Sequence, residues 1–423
     1  MLDLLLSNIG LLVTPRGAKA RAGQQQGSVS STARAAVGIE GGKIAYAGPG
    51  CAGLAARQTL DCGGALVTPG LVDAHTHLVF GGWRQDEFAL RQGGAPYMDV
   101  LRAGGGILST VARTRVAGLG ELVARGKGFL GEMLGFGVTT AEAKSGYGLD
   151  LENELKQLRA IRELGDQQPV TLVPTFMGAH AVPAEFSGRR EAYVALVCDK
   201  ILPAVAEERL AKFCDVFCED GAFTVAESRA VLARAAELGM GLKAHADELA
   251  AGGGAELAAE MGCVSAEHLI HASDAGIRAL AGSGAVAVAL PCTSFFLGKP
   301  FARARQMVDE GLAVAVATDF NPGSCPCLNL QLAMSLACLR CGLTPAETLT
   351  AATLNGAAAI GLASRIGSIE AGKDADIVVW DAPDLDYLFY RLGSNLARTV
   401  VKAGAVCADR PAQPNGWRRC GQA

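Results

Sequence analysis

The sequence has no long apolar run. LAVAVAT at 312–318 is among its longest such stretches, far short of the roughly 18 residues needed to span a bilayer. The opening MLDLLLSN carries Asp3 early, with no basic start and no small-residue cleavage site, so a secretory leader is not expected. Neither sign of charge is in excess: 38 Lys and Arg stand against 42 Asp and Glu, a net charge of −4. That balance gives no bulk attraction to nucleic acid or to an anionic membrane. No GxGxxG follows a strand-like run and no GxxxxGK[ST] occurs, which ranks nucleotide cofactors low. No repeat of roughly 20–50 residues is visible, so a solenoid is not suggested. The 13 cysteines, an odd number spread along the chain, do not read as a secreted disulfide framework. These absences point to a soluble, cytoplasmic protein.

What is present is a large supply of core. Apolar residues make up 50% of the 423 and charged residues 19%, which excludes a disordered chain. That length suits two or three units of about 150 residues, or one barrel of about 250 with a smaller companion. Two cysteine pairs raise a zinc reading, Cys325-x-Cys327 and Cys338-x-x-Cys341. The second pair lies in LQLAMSLACLRCGLTP, an apolar helical stretch where thiols act as small core groups, so reduced core or loop cysteines are expected. Cys214 and Cys218, in the strand-like CDVFCED, are read the same way.

The two ends of the chain share a texture. NIGLLVT, AAVGIEGGKIAYAG and TLDCGGALV near the start, and GSIEAGKDADIVVWD and RTVVKAGAVCAD near the end, read as short strands between Gly-rich turns. We expect a small composite β-sandwich from residues 1–66 and 362–423. Between them, strands are predicted at 70–75, 137–143, 169–176, 214–218, 241–245, 263–268, 285–290 and 313–319. Amphipathic helices such as 151–164 and 225–238 intervene. Eight buried strands alternating with helices predict an α/β fold, a (β/α)8 TIM-type barrel over 67–361, rather than an open doubly wound sheet.

Histidine is scarce, with only six residues, yet five of them fall at or just after a predicted strand's C-terminal end, where such barrels build their sites. His75 and His77 form an H-x-H at the first strand; i and i+2 share a face, so both rings can reach one cation. His245 ends the fifth strand and Asp319 the eighth. A three-histidine, one-aspartate set suits zinc, and also iron or manganese. Glu248, three residues after His245, is placed for acid/base work on a water, and His268 to support the nucleophile or a developing oxyanion. His271 is read as structural.

These residues resemble the amidohydrolase superfamily, through PGLVDAHTH, the fifth-strand His, the sixth-strand His, the eighth-strand Asp and the closing IEAGKDADIVVWD. On GGWRQDEFALR, GGGILSTV, EAKSGYGLD, TFMGAHA, DVFCEDGAF, AHADEL and TDFNPGS, from about residue 66 to 380, the resemblance narrows to the imidazolonepropionases. It implies hydrolytic ring opening of 4-imidazolone-5-propanoate to N-formimidoyl-L-glutamate in histidine degradation, with one divalent metal, zinc or iron, per subunit of a homodimer. The metal ligands then fall on His75, His77, His245 and Asp319, with Glu248, His268 and Asp319 catalytic. Substrate contacts fall on Arg84, Tyr147, His180, Glu248, Asn321, Gly323 and Ser324. Arg84 has a case of its own, since a guanidinium can hold the substrate carboxylate in a bidentate pair.

The family carries either Glu or Gln at the Glu248 position, which implies that Asp319 moves the proton while Glu248 orients the ring. Lys144 follows the second strand, the wrong place for a carboxylated bridging lysine. Glu219 is the residue through which a second metal would have to bind. The alternatives are a nucleobase-type cyclic amidine deaminase, which needs no cation for a carboxylate, and a barrel without metal acting only in assembly.

Overall fold

The computed structural model describes residues 1–94 and 105–411. Gly104 of the GGGILSTV motif and residues 412–423 of the expected C-terminal segment lie outside the described residues. Five strands come first: β1 (Leu2–Thr14), β2 (Ser30–Glu40), β3 (Lys43–Pro49), β4 (Ala56–Asp61) and β5 (Leu66–Pro69). Eight follow: β6 (Leu71–Asp73), β7 (Val138–Lys144), β8 (Thr171–Ala179), β9 (Phe213–Cys218), β10 (Gly241–Ala246), β11 (Ser265–His268), β12 (Val286–Ala289) and β13 (Ala313–Val316). The last are β14 (Ile377–Trp380), β15 (Ala397–Lys402) and β16 (Ala405–Asp409).

The middle eight strands pair in parallel, in sequence order, at the positions the alternating pattern predicts. Helices between them take their registers from simple signals. In Leu151–Gln167, Leu155, Leu158, Ile161 and Leu164 make one buried stripe, and Asp150 caps the start by accepting the Asn153 N–H at 2.8 Å. Thr224 and Glu227 form a reciprocal capping box at the start of Val225–Glu237. The first and eighth strands meet beyond their regular ends. The Asp319 N–H donates to the His75 carbonyl at 3.0 Å and the His77 N–H to the Phe320 carbonyl at 2.8 Å. The barrel therefore closes through the residues that carry the expected metal ligands.

The terminal strands from both ends of the chain assemble together, as expected. They form one hydrogen-bonded sheet in the order β16-β15-β14-β5-β1-β2-β3, with β4 also on β1. β1 is long enough to pair with β4 along its first half and with β5 near its end, and its pairing with β2 slips between Leu6 and Ile9. A bulge bends a strand, so a single sheet can curl over its own face. Leu6, Ile39 and Ile44 from the start of the chain thereby share one core with Ile377, Val379 and Val401 from its end. The described cysteines are all free. The Cys325 thiol lies 3.2 Å from the Thr318 carbonyl and Cys338 3.2 Å from the Thr348 hydroxyl, the core and loop roles expected of them.

Candidate metal centre and active site

The expected ligands meet at the C-terminal mouth of the barrel. Asp319 Oδ1 lies 3.5 Å from His75 Nε2 and 3.6 Å from His77 Nε2, and His77 Nε2 lies 3.3 Å from His245 Nε2. His268 packs its ring 5.2 Å from that of His245. All five are nearly inaccessible to solvent. The donor set fits a divalent ion. The His245 Nδ1 faces a carboxylate oxygen of Asp215 at 3.1 Å, so its proton belongs there and its Nε2 lone pair confronts that of His77. Both ring nitrogens of His75, with Nδ1 of His77 and of His268, are buried without a hydrogen-bond partner among the described residues. Buried nitrogens left unpaired are costly, and a cation at this cluster would give His75 Nε2 the partner it lacks.

Electrostatics agree for three of these four histidines; at the fourth, His245, burial lowers the pKa but Asp215 more than offsets it and the net shift is upward. Burial, followed by the charges around them, holds His75, His77 and His268 well below the usual imidazole range, so they are neutral and able to ligate. Burial pushes the Asp319 carboxyl up to about 6 despite the hydroxyl of Thr293, which donates to its Oδ2 at 2.6 Å. Burial and then the Asp319 charge push Glu248 up to about 8. Glu248 Oε2 lies 3.5 Å from His268 Nε2. The backbone is strained where these groups leave the strands: φ is +67° at His268 and +58° at Asp319. Non-glycine residues persist in that region only when their surroundings enforce it.

Tyr147 and His180 join the same mouth. The His180 ring stacks on His77 at 5.0 Å, and Tyr147 lies 6.0 Å from His77 and 5.4 Å from His180. His180 Nδ1 faces the Gly146 carbonyl at 3.1 Å, and burial lowers its pKa to about 3. Gly146 has φ +104°, and a Cβ there would meet His180 Nδ1 at 2.9 Å, so this glycine is required for the close approach. Asn321 turns the loop after β13, accepting the N–H groups of Gly323 and Ser324 at 2.8 Å each, while Ser324 also bonds the Asn321 amide through its hydroxyl. A Cβ on Gly323 would strike the Arg84 guanidinium at 2.1 Å. Arg84 thus lies against that loop, beside a cavity of about 290 Å³ lined also by Trp83, Phe88 and Phe296. Its Nε and Nη2 edge is taken by Glu87, at 2.9 and 3.0 Å.

A family profile described as the amidohydrolase family matches residues 66–407. An imidazolonepropionase from Bacillus velezensis is 51% identical over 412 residues, 97% of this chain and 98% of that protein. Another from Alkaliphilus metalliredigens is 49% identical over 97% and 99%. The chain belongs to the imidazolonepropionases of the amidohydrolase family. Two solved structures share its fold. One is an adenosine deaminase from Xanthomonas campestris with bound zinc, with TM-score 0.69 and 22% identity over 98% of this chain and 94% of that one. The other is a 5-methylcytosine deaminase from Klebsiella pneumoniae, with TM-score 0.72 and 17% identity over 97% and 98%.

Several residues that build this imidazolonepropionase-family site were not singled out from the sequence. Glu154, on the helix after the KSGYGLD loop, accepts the N–H groups of Gly148 and Leu149 at 2.8 and 2.9 Å, and Gln157 accepts that of Tyr147 at 2.9 Å. Glu219, named from the sequence only as the route to a second metal, accepts the N–H groups of Glu248, Leu249 and Ala250 at 2.8, 2.9 and 3.1 Å. Both its oxygens are engaged in holding the Glu248 loop, the structural alternative to a second metal. Lys144 forms a 2.6 Å ion pair with Asp215. The missed signal was charge inside strands: Glu142, Asp215, Lys243 and Glu267 all interrupt otherwise apolar runs.

Proposed function

We propose that the chain hydrolyses 4-imidazolone-5-propanoate to N-formimidoyl-L-glutamate. What carries the reading is the convergence of His75, His77, His245 and Asp319 at the mouth of the barrel that also holds Arg84, in a chain about half identical to imidazolonepropionases. The set takes one divalent ion, zinc or iron, which when bound polarises the ring carbonyl and lowers the pKa of a water towards about 7. Asp319, oriented by Thr293, takes the proton of the attacking water and returns it to the leaving ring nitrogen. His268 hydrogen-bonds the nucleophile and the tetrahedral oxyanion, and Glu248 orients the ring N–H. Tyr147, His180 and the Asn321–Ser324 loop enclose the ring. Arg84 holds the propanoate with its Nη groups while Glu87 fixes the far edge of the fork, so remote binding energy orients the carbonyl.

Residues 67–361 carry this chemistry and 1–66 with 362–423 support it. Free cysteines suit a reducing cytoplasm, and no helix of the described residues is long and apolar enough to cross a membrane. Sedimentation tests the homodimer. The assay that tests the reaction follows loss of the imidazolone chromophore with chelated and metal-restored protein side by side. Restoration by zinc or iron is the expected result. A metal-loaded protein inert towards the imidazolone acid but active on a nucleobase would overturn the reading in favour of a deaminase.

A further inference from the structure

Beneath the ligand histidines, the barrel interior holds a row of charged side chains that alternate in sign and are fully buried. Asp215 Oδ1 lies 3.1 Å from His245 Nδ1 and accepts the His245 backbone N–H at 3.2 Å. Its other oxygen takes Lys144 Nζ at 2.6 Å. Lys144 continues to Glu142 at 2.8 Å, Glu142 to Lys243 at 2.8 Å, and Lys243 to Glu267 at 3.3 Å. The row draws on β7, β9, β10 and β11. Buried ion pairs are poor sources of stability, because desolvation consumes most of their attraction and apolar side chains of the same volume do as well. Their use must be sought in what they fix. Asp215 is divided between two tasks, one oxygen for the imidazole and one for the ammonium that holds it in place. A carboxylate on the far nitrogen of a ligand histidine sets its tautomer and raises its basicity. Three carboxylates against two ammoniums also leave a formal net charge of −1 under the site.

We propose that Asp215, clamped by Lys144, is a positioning residue that keeps the proton of His245 on Nδ1 and aims Nε2 at the metal, and that the buried row's net negative charge strengthens binding of a dication. This rests on His245 being a ligand. The test measures Zn²⁺ dissociation constants of purified full-length protein by competition with a chromophoric chelator, together with kcat, KM and metal-free melting. Asp215→Asn, which keeps shape but loses charge, should weaken zinc by about 10–100-fold with KM unchanged. Lys144→Met loosens the clamp on Asp215 but also removes a positive charge, and should weaken zinc by clearly less than Asp215→Asn does. If Lys144→Met fails to fold, Glu267→Gln at the far end replaces it, and should weaken zinc by less than Asp215→Asn does. Zinc affinity unchanged in Asp215→Asn, equal weakening in Asp215→Asn and Lys144→Met, or weakening in Glu267→Gln as large as in Asp215→Asn would overturn the proposal. Wild type that binds no zinc would overturn the ligand assignment itself, so the two failures are distinguishable.

Discussion

The curled terminal sheet encloses Leu6, Ile9, Ile39, Ile377 and Val379, whereas the barrel interior under the site encloses Glu142, Lys144, Asp215, Lys243 and Glu267, equally hidden from water. The first set is stabilising in itself, at roughly 25 cal/mol for each Å² of apolar surface removed from water. The second costs several kcal/mol per ion to desolvate and regains this only through its geometry. The same degree of burial therefore serves two ends. At the termini it holds the two ends of the chain together; in the barrel it fixes Asp215 against His245. A substitution in either region should damage only what that region supplies.

The largest effect tests this division directly. His245→Ala should lose metal and turnover together, because neither Asp215 nor the remaining ligands can replace a missing imidazole in a four-ligand set. Its metal-free melting should stay near that of metal-free wild type. Ile377→Ala is the counterpart: about 2–5 kcal/mol of stability should go, while metal content and kcat/KM of the folded protein stay. Metal analysis, melting curves and the imidazolone assay on both variants decide. Stoichiometric metal in His245→Ala, or metal loss in Ile377→Ala, would break the comparison.

Next come the two carboxylates at the centre. Asp319 faces the ligand histidines and has its second oxygen fixed by Thr293, whereas Glu248 stands on a loop beside His268. Proton-transfer groups contribute about 10²–10⁴-fold, so Asp319→Asn should fall in that range and Glu248→Gln should lose clearly less. Equal losses at equal metal content would move the base role to Glu248.

Much of this was legible in the sequence. Strands with a helical period between them placed all eight barrel strands, and scarce histidines at their ends marked the cluster at the barrel mouth, because both follow from local pattern. The Leu6–Ile9 slip in β1 was not read from the sequence, although Asn8, at φ +52°, is of a type that tolerates the left-handed region. Nor was the Asp215–Lys144 pair, since strands β9 and β7 lie on opposite sides of β8 and the side chains meet only across the barrel. The Glu87 partner of Arg84 sat three residues away in plain sight. Its meaning required knowing that the fork also lies against Gly323.

That pair gives a smaller effect. A charged hydrogen bond to a carboxylate is worth about 1.5–3 kcal/mol, so Arg84→Ala should lower kcat/KM for the imidazolone acid at least about tenfold, with metal retained. Arg84→Lys should recover part of it, since a point charge cannot reproduce the planar fork. Glu87→Gln should raise KM more than it lowers kcat, because it loosens the fork without touching the reacting atoms. An analogue lacking the carboxylate should be nearly indifferent to all three. If it loses as much as the acid does, Arg84 supports the loop and the comparison shifts one more residue from chemistry to fold.

The smallest effect concerns acidity in the metal-free protein, where the two regions should differ in kind. Burial raises Asp319 to about 6, Asp73 to about 7 and Glu248 to about 8, from ordinary values of 3.8, 3.8 and 4.5. Each binds its proton more tightly in the fold than in the unfolded chain. The stability they contribute is complete below about pH 4 and is lost as pH rises through about 6 to 8. His75, His77, His180 and His268, held neutral in the fold, work the other way up to their ordinary 6.5, so melting of the metal-free protein should fall above about pH 7, through Asp73 and Glu248. A bound dication favours the ionised carboxyls, so the metal-loaded protein should lose less over the same range. Ile377→Ala should lower both curves without altering either slope, because the one thiol in the core it opens, Cys62, is pushed by burial up to about 12, far above this window. A metal-free protein whose stability is level between about pH 7 and 8 would mean that Asp73 and Glu248 are ionised in the fold. The barrel interior would then tolerate charge without a metal, and its contrast with the terminal core would have to rest on ion pairing alone.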